Sequence, residues 1–163
     1  MPINEMYPSY TVEEAKRKLE HFCAYQDRCH DEVQAKLKSL NMIPLAIDVV
    51  IAHLIEHDFL NEERFARSFA RGKFRIKQWG KKRIVLELKA RNISRYNIET
   101  ALKEINEDEY LESFHRLAEK QWEAMAGNTI LNKRKKLTDY LLRKGFENQL
   151  IFDKINFLIH PKY

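Results

Sequence analysis

Residues 37–54 read LKSLNMIPLAIDVVIAHL, residues 88–105 read LKARNISRYNIETALKEI, and residues 141–158 read LLRKGFENQLIFDKINFL. The three stretches align without a gap. Leu37, Met42, Ile47, Ile51 and Leu54 recur as Leu88, Ile93, Ile98, Leu102 and Ile105. They recur again as Leu141, Phe146, Ile151, Ile155 and Leu158, at offsets of 51 and then 53 residues. Asn41, Asn92 and Gly145 share the position where the chain must turn. Asn and Gly are the residues that tolerate the left-handed backbone ending a helix. The apolar spacing on either side is helical. Each stretch is therefore a helix pair joined by a tight turn, and a fixed period of this length marks a repeat protein. Such proteins present surfaces to partners more readily than they build catalytic cavities.

Working outward, each pair is preceded by a further helix. In the first unit Thr11 and Glu14 form a capping box. Val12, Ala15, Leu19, Phe22 and Cys23 then line one face of a helix that should end near Asp27. The second helix opens at Cys29, a poor cap, so its start must fray or be held by tertiary contacts. Val33, Leu37 and Leu40 face inward. Pro44 suits the first position of the third helix, which carries Ile47, Val50, Ile51, Leu54 and Ile55. In the second unit Asn61 caps a helix marked by Phe65, Phe69 and Ile76. Gly80 opens the next, with Ile84 and Leu88 inward, and Ser94 caps the last, with Ile98, Ala101, Leu102 and Ile105. The third unit starts near Asp108 with Tyr110, Leu111, Phe114, Leu117, Ala118, Trp122 and Met125 on one face. It breaks at Gly127-Asn128, resumes within Lys133 to Lys144, and closes before Pro161.

The expectation is an all-α chain of three tandem three-helix repeats forming an elongated, curved monomer. The repeats span 11–58, 59–106 and 107–160, after a flexible lead over 1–10. Units of about 50 residues are marginal alone, so neighbours should meet through Phe and Leu contacts. Bending is expected at 126–129 and 74–82.

Of the 163 residues 44% are hydrophobic, and only four are Gly and four Pro, which leaves little room for a Gly-rich ligand cradle. Cys23 and Cys29 are too few for a disulfide scaffold and suggest a reducing compartment. The N-terminus lacks a signal-peptide pattern. No run approaches the roughly 20 apolar residues of a membrane helix. A cytoplasmic protein without membrane contact is expected.

The net charge of +5 is modest, but its distribution is not. Between residues 71 and 91, Arg71, Lys73, Arg75, Lys77, Lys81, Lys82, Arg83, Lys89 and Arg91 face Glu87 alone, a local excess of +8. A surface of this kind attracts phosphate backbone or an acidic protein face. Lys81 and Lys82 sit at a helix start, where the dipole disfavours them, so an external anion is expected there. Lys133, Arg134, Lys135 and Lys136 make a second patch, with Arg143 and Lys144 further along. Trp79, inside the first patch, either stacks on a base or wedges between units, and the wedge is the favoured reading. These residues are the candidate contacts for a filament or nucleic acid.

Catalytic and cofactor chemistry find no motif. His53 and His57 lie four apart, but no third ligand follows at a familiar interval, and they read as a surface pair. No phosphate-binding Walker sequence occurs. Glu13-Glu14 and Glu62-Glu63 open helices and suit the dipole there. The expectation is a non-enzyme without cofactor or metal.

Four stretches carry a resemblance. Phe59-Leu60-Asn61-Glu62-Glu63-Arg64-Phe65-Ala66 followed by Phe69 resembles the opening of the middle repeat of the RecX family of recombination regulators. Gly80-Lys81-Lys82-Arg83-Ile84, with Glu87-Leu88-Lys89, resembles its next helix. Leu141-Leu142-Arg143-Lys144-Gly145-Phe146 is similar to the end of the second helix in its last repeat, and Glu32-Val33 with Lys36-Leu37 fits its first repeat. The resemblance runs from about residue 11 to 159. It departs at Cys29, where a Ser-like cap is usual, and at Asn41 and Asn92, where Gly is common. The resemblance implies three three-helix repeats in a curved molecule that binds the RecA recombinase, chiefly when RecA is polymerised on single-stranded DNA. It further implies inhibition of ATP hydrolysis, strand exchange and RecA-directed cleavage, hence a place in DNA repair and the SOS response, with contacts to single-stranded DNA weak or indirect. Two other readings stay open: a sequence-independent nucleic-acid-binding module, and an adaptor for an acidic protein.

Overall fold

The computed structural model describes residues 10–161, so nearly all of the expected lead over 1–10 lies outside the described residues. Among the described residues there are nine helices and no strand. They are α1 (Val12–Tyr25), α2 (His30–Ser39), α3 (Pro44–Glu56), α4 (Glu62–Arg75), α5 (Lys81–Ala90), α6 (Arg95–Leu102), α7 (Glu107–Ala124), α8 (Ile130–Lys144) and α9 (Asn148–Ile159). The helices pack mainly in triplets, α1–α3, α4–α6 and α7–α9.

Local chemistry sets the helix starts. The Thr11 hydroxyl accepts from the Glu14 N–H and the Glu14 carboxylate accepts from the Thr11 N–H, completing the capping box. Asn61, Ser94, Asn106 and Thr129 each cap through a side-chain oxygen. Two starts differ from expectation because of these caps. Asn106 rather than Asp108 opens α7, and Thr129 starts α8 three residues before Lys133. Within unit 1, α1 stops at Tyr25, two residues before the expected end near Asp27.

The repeated turn is the same structure three times. Asn41, Asn92 and Gly145 have φ of 58°, 59° and 96°. After each, the next N–H returns to the carbonyl five residues back: Met42 to Leu37, Ile93 to Leu88 and Phe146 to Leu141, at 3.2, 3.1 and 3.2 Å. These bonds satisfy carbonyls that the helix end leaves open.

Two cores hold the triplets. Unit 1 has its own, built on Ala15, Leu19, Cys23, Val33, Leu37, Ile47, Val50, Leu54 and Leu60. Units 2 and 3 share a continuous one, and an aromatic chain crosses between them. Phe74 of α4 lies 5.9 Å from Tyr110, Tyr110 lies 5.5 Å from Phe146, and Phe146 lies 5.0 Å from Phe114. The junction of units 1 and 2 is of another kind. Cys29 is buried within the second core, which holds the uncapped start of α2. Around it the contacts are polar: Arg64 to Asp27 at 2.8 Å and Asn92 to Asp31 at 2.8 Å. Units 2 and 3 are therefore joined by a run of aromatic contacts, while units 1 and 2 meet through Cys29, through Leu60 and Phe59 packed on the first core, and through these polar pairs. Among the described residues no hydrogen bond or ion pair links unit 1 to unit 3.

Two expected core positions are corrected, and one buried lysine was not expected. Ile55 is 48% exposed, because Leu54 takes the inward position beside it. Ile76 is 79% exposed, because α4 stops at Arg75. The position held by Val50 and Ala101 in the first two units belongs to Lys154 in the third, only 7% exposed, with its ammonium 2.8 Å from Glu119.

Candidate cationic interface

The helix start that carries Lys81, Lys82 and Arg83 has no side-chain cap, since Gly80 is its N-cap. Its free N–H groups need acceptors. The end of α8, 64 residues further along, has the opposite need, and the fold brings the two ends together. The Gly80 N–H donates to the Lys144 carbonyl at 2.7 Å and the Lys82 N–H to the Gly145 carbonyl at 2.9 Å. The Arg83 guanidinium donates to the Arg143 carbonyl at 3.2 Å. The Lys81 N–H donates to the Tyr110 hydroxyl at 3.1 Å, which in turn donates to the Glu147 carboxylate at 2.9 Å. Burial, reinforced by the Glu147 charge, pushes the Tyr110 phenol well above its ordinary range, so it stays a donor.

The two quoted motifs, Gly80 to Ile84 and Leu141 to Phe146, are thus the two halves of one joint. Both glycines are required. A Cβ on Gly80 would lie 2.3 Å from the Gly145 carbonyl carbon and oxygen, and a Cβ on Gly145 would lie 2.3 Å from the Arg83 Cβ. The negative end of α8 meets the positive end of α5 head to tail. Lys81 is further neutralised by Glu107 at 2.6 Å. The expected external anion at this helix start is therefore corrected: α8, Glu107 and Glu147 supply the compensation from within. Residues 74–82 are likewise a pinned joint rather than a bending point.

Cations remain around this seam. Trp79 packs edge-on against Phe69 at 6.2 Å between centroids. Its ring carries Arg83 at 4.1 Å and Lys73 at 5.1 Å, a favourable placement of charge on an aromatic face. Lys144 reaches back from unit 3 to the Lys77 carbonyl at 2.8 Å. Burial, with Arg83 and Lys77 close by, holds its ammonium below the usual lysine range. Among the described residues no carboxylate pairs with Lys73, Lys77, Lys82 or Lys144. Lys73 and Arg83 lie over the Trp79 indole, Arg83 and Lys77 crowd Lys144, and an anion among these like charges would relieve their repulsion.

The other candidates lie elsewhere or are occupied. Arg71 pairs with Glu104 at 3.3 Å, and Arg91 pairs with Glu87 at 2.9 Å while covering Phe69 at 4.9 Å. Arg75 lines a groove with Glu109, Glu112 and Arg116. The second patch divides. Lys133 lies over Trp122 at 4.0 Å, Lys136 approaches Asn128 at 3.4 Å, Lys135 is exposed, and Arg134 borders a groove between α8 and α9. Lys144 was visible in the sequence only as the tail of that second patch. Nothing local signals that it joins Lys73 and Lys77.

The His53 and His57 rings lie 4.5 Å apart and tilted at 52°, and His53 is 3.0 Å from Glu20 of α1. That hydrogen bond, aided by Arg17, holds Glu20 below the usual carboxylate range. Its stabilising contribution is complete above the ordinary carboxylate pKa and is lost as pH falls through the depressed one. Glu20→Gln should therefore lower the unfolding midpoint above pH about 5 and flatten its acid limb, wild type and variant converging as pH falls. Denaturation series at pH 3 to 7 check this.

A three-unit helical repeat protein with a cationic joint between its second and third units is the class that these features define. Residues 61–102 match the family description "RecX, second three-helix domain", and residues 107–155 match "RecX, third three-helix domain". The chain belongs to the RecX family. It is 26% identical over 140 residues to the regulatory protein RecX of Bacillus cytotoxicus, covering 86% of this chain and 52% of that protein. With that of Listeria welshimeri it is 24% identical over 148 residues, covering 91% and 55%. The chain thus spans about half the length of these curated relatives. A crystal structure of RecX from Lactobacillus salivarius superimposes with a TM-score of 0.77 at 29% identity, covering 91% of this chain and 96% of that one. A second RecX crystal structure, at TM-score 0.75 and 19% identity over 89% and 73%, shares the fold. Among the described residues no helix is long and apolar enough to cross a membrane.

Proposed function

We propose that this chain is a non-enzymatic, cytoplasmic regulator of the RecA recombinase. It acts as a monomer on RecA polymerised along single-stranded DNA and restrains ATP hydrolysis and strand exchange. The observation that carries this reading is the cationic cluster without carboxylate partners at the joint of units 2 and 3, in which Arg83 and Lys144 come from two of the motifs that carry the family resemblance and Lys73 and Lys77 from α4 and the turn after it. A nucleoprotein filament offers both phosphates and carboxylates, and a cluster held on a rigid joint can meet either at a fixed spacing.

The test replaces three cations whose side chains make none of the joint's hydrogen bonds: Lys77 and Lys82, which are exposed, and Lys73, which is half-buried over Phe69 and Trp79. Lys73→Ala, Lys77→Ala and Lys82→Ala combined should leave the unfolding midpoint within the small range usual for surface changes. Affinity for RecA filaments on single-stranded DNA should fall about tenfold or more at low salt, and the difference from wild type should shrink as salt rises. Wild-type and variant proteins with equal filament affinity would remove the cluster from the interface.

The aromatic ring among the cations also favours a second reading, a sequence-independent nucleic-acid-binding module. It separates cleanly. A module of that class binds bare single-stranded DNA as tightly as RecA-coated DNA, whereas the filament regulator prefers the coated strand.

A further inference from the structure

Aligning the three units position by position exposes a difference that the repeat architecture does not need. Leu142 on α8 stands where Lys89 and Lys38 stand in units 2 and 1, and Phe152 on α9 stands where Glu99 and Asp48 stand. All four charged residues are exposed, as a solvated helix pair requires. In unit 3 both positions have become apolar without becoming buried: Leu142 is 45% exposed and Phe152 54%. Together with Thr138, Ile151 and Ile155 they line a groove of about 310 Å³ between α8 and α9, with Arg134 at its edge. Arg134 has no acidic partner among the described residues. Its equivalent in unit 2, Lys81, is engaged by Glu107.

We propose that this groove is a docking site for a protein segment, and that in the filament the segment belongs to RecA. This rests on the function proposed above and assigns it a second contact. The occupant presents one or two large apolar side chains to Leu142 and Phe152 and a carboxylate to Arg134. Three observations select this chemistry. The fold tolerates Lys and an acidic residue at these positions in two of its three units, so the apolar pair is not there for packing. A floor of Leu, Ile and Phe offers nothing to a phosphate backbone, while an apolar groove with one placed cation suits an amphipathic peptide. Finally, Leu142 and Lys144 share the last turns of α8 but, at about 100° per residue, face opposite sides of it, so a partner that engages both holds the helix from two sides, with phosphate or carboxylate at the joint and apolar side chains at the groove.

The decisive variant gives unit 3 the residues that unit 2 already carries, Leu142→Lys with Phe152→Glu. Arg134→Glu is the independent second variant, since that side chain is exposed and unpaired. The probes are RecA filaments assembled on oligo(dT) and bare oligo(dT), with oligomeric state followed by sedimentation. Both variants should keep the wild-type unfolding midpoint, lose tenfold or more in filament affinity, and change less than twofold on bare oligo(dT). Unchanged filament affinity in both variants overturns the groove while leaving the cationic joint in place. An equal loss on bare oligo(dT) makes nucleic acid the occupant and overturns it too. Wild-type protein that self-associates through the groove, with variants that do not, makes a second copy the occupant and overturns it as well. Wild-type protein that fails to bind filaments at all removes the proposed function, and this contact with it.

Discussion

Gly145→Ala is expected to open the joint between units 2 and 3 and to cost about 4 kcal/mol of stability. Two effects add. At φ 96° an Ala is strained, which typically costs about 1–3 kcal/mol. Its Cβ would also lie 2.3 Å from the Arg83 Cβ and 2.5 Å from the Arg83 nitrogen, and relieving such overpacking costs about 1–3 kcal/mol more. Gly80→Ala meets the same obstacle from the other side, 2.3 Å from the Gly145 carbonyl. Both substitutions push apart the same two helix ends. The double variant should therefore cost less than the sum of the singles. Gly72→Ala is the control. Nothing lies within 4 Å of its added methyl, and in a helix interior Ala is favoured by up to about 1 kcal/mol. Chemical denaturation followed by tryptophan fluorescence reads all four. A Gly145→Ala midpoint at or above the wild-type value would mean that the ends of α5 and α8 are not in contact.

Phe114→Ala is expected to cost about 3–5 kcal/mol, the range for removing a buried aromatic ring. Phe114 is fully buried in the core shared by units 2 and 3, against Phe146. Through Phe146 and Tyr110 it connects to Phe74 of unit 2. Its loss should therefore lower the stability of both units in one transition. Leu37→Ala, in the separate core of unit 1, should cost about 2–5 kcal/mol and act mainly on unit 1. Hydrogen exchange resolves the two. Faster exchange confined to α7–α9 in Phe114→Ala would show that units 2 and 3 do not share a core.

The fold was legible because its signals are local. Thr11 with Glu14, Asn61, Ser94, Pro44 and the three turn residues each state their role within four residues of sequence. The apolar columns do the rest by periodicity. What could not be read depends on distant partners. The lysines at the start of α5 look like an unmet demand for an anion. The demand is met by the carbonyls of Lys144 and Gly145 at the end of α8 and by Glu107, and no local pattern announces either. Lys154 was missed for a related reason: a lysine in an apolar column reads as exposed until Glu119 is placed beside it. The candidate interface was half legible. The charge excess between Arg71 and Arg91 pointed to the right helices. Arg71 and Arg91 then proved to be paired with acids of their own unit, and Lys144 came in from the next one.

The most direct test is the RecA ATPase measured on single-stranded DNA while this protein is titrated in. The rate should fall strongly at less than one copy per RecA, at concentrations where the protein does not coat free DNA. The titration should shift rightward for the Lys73, Lys77 and Lys82 triple variant. An ATPase rate unchanged at equimolar protein, with the chain folded and still binding bare DNA, would contradict the proposed function.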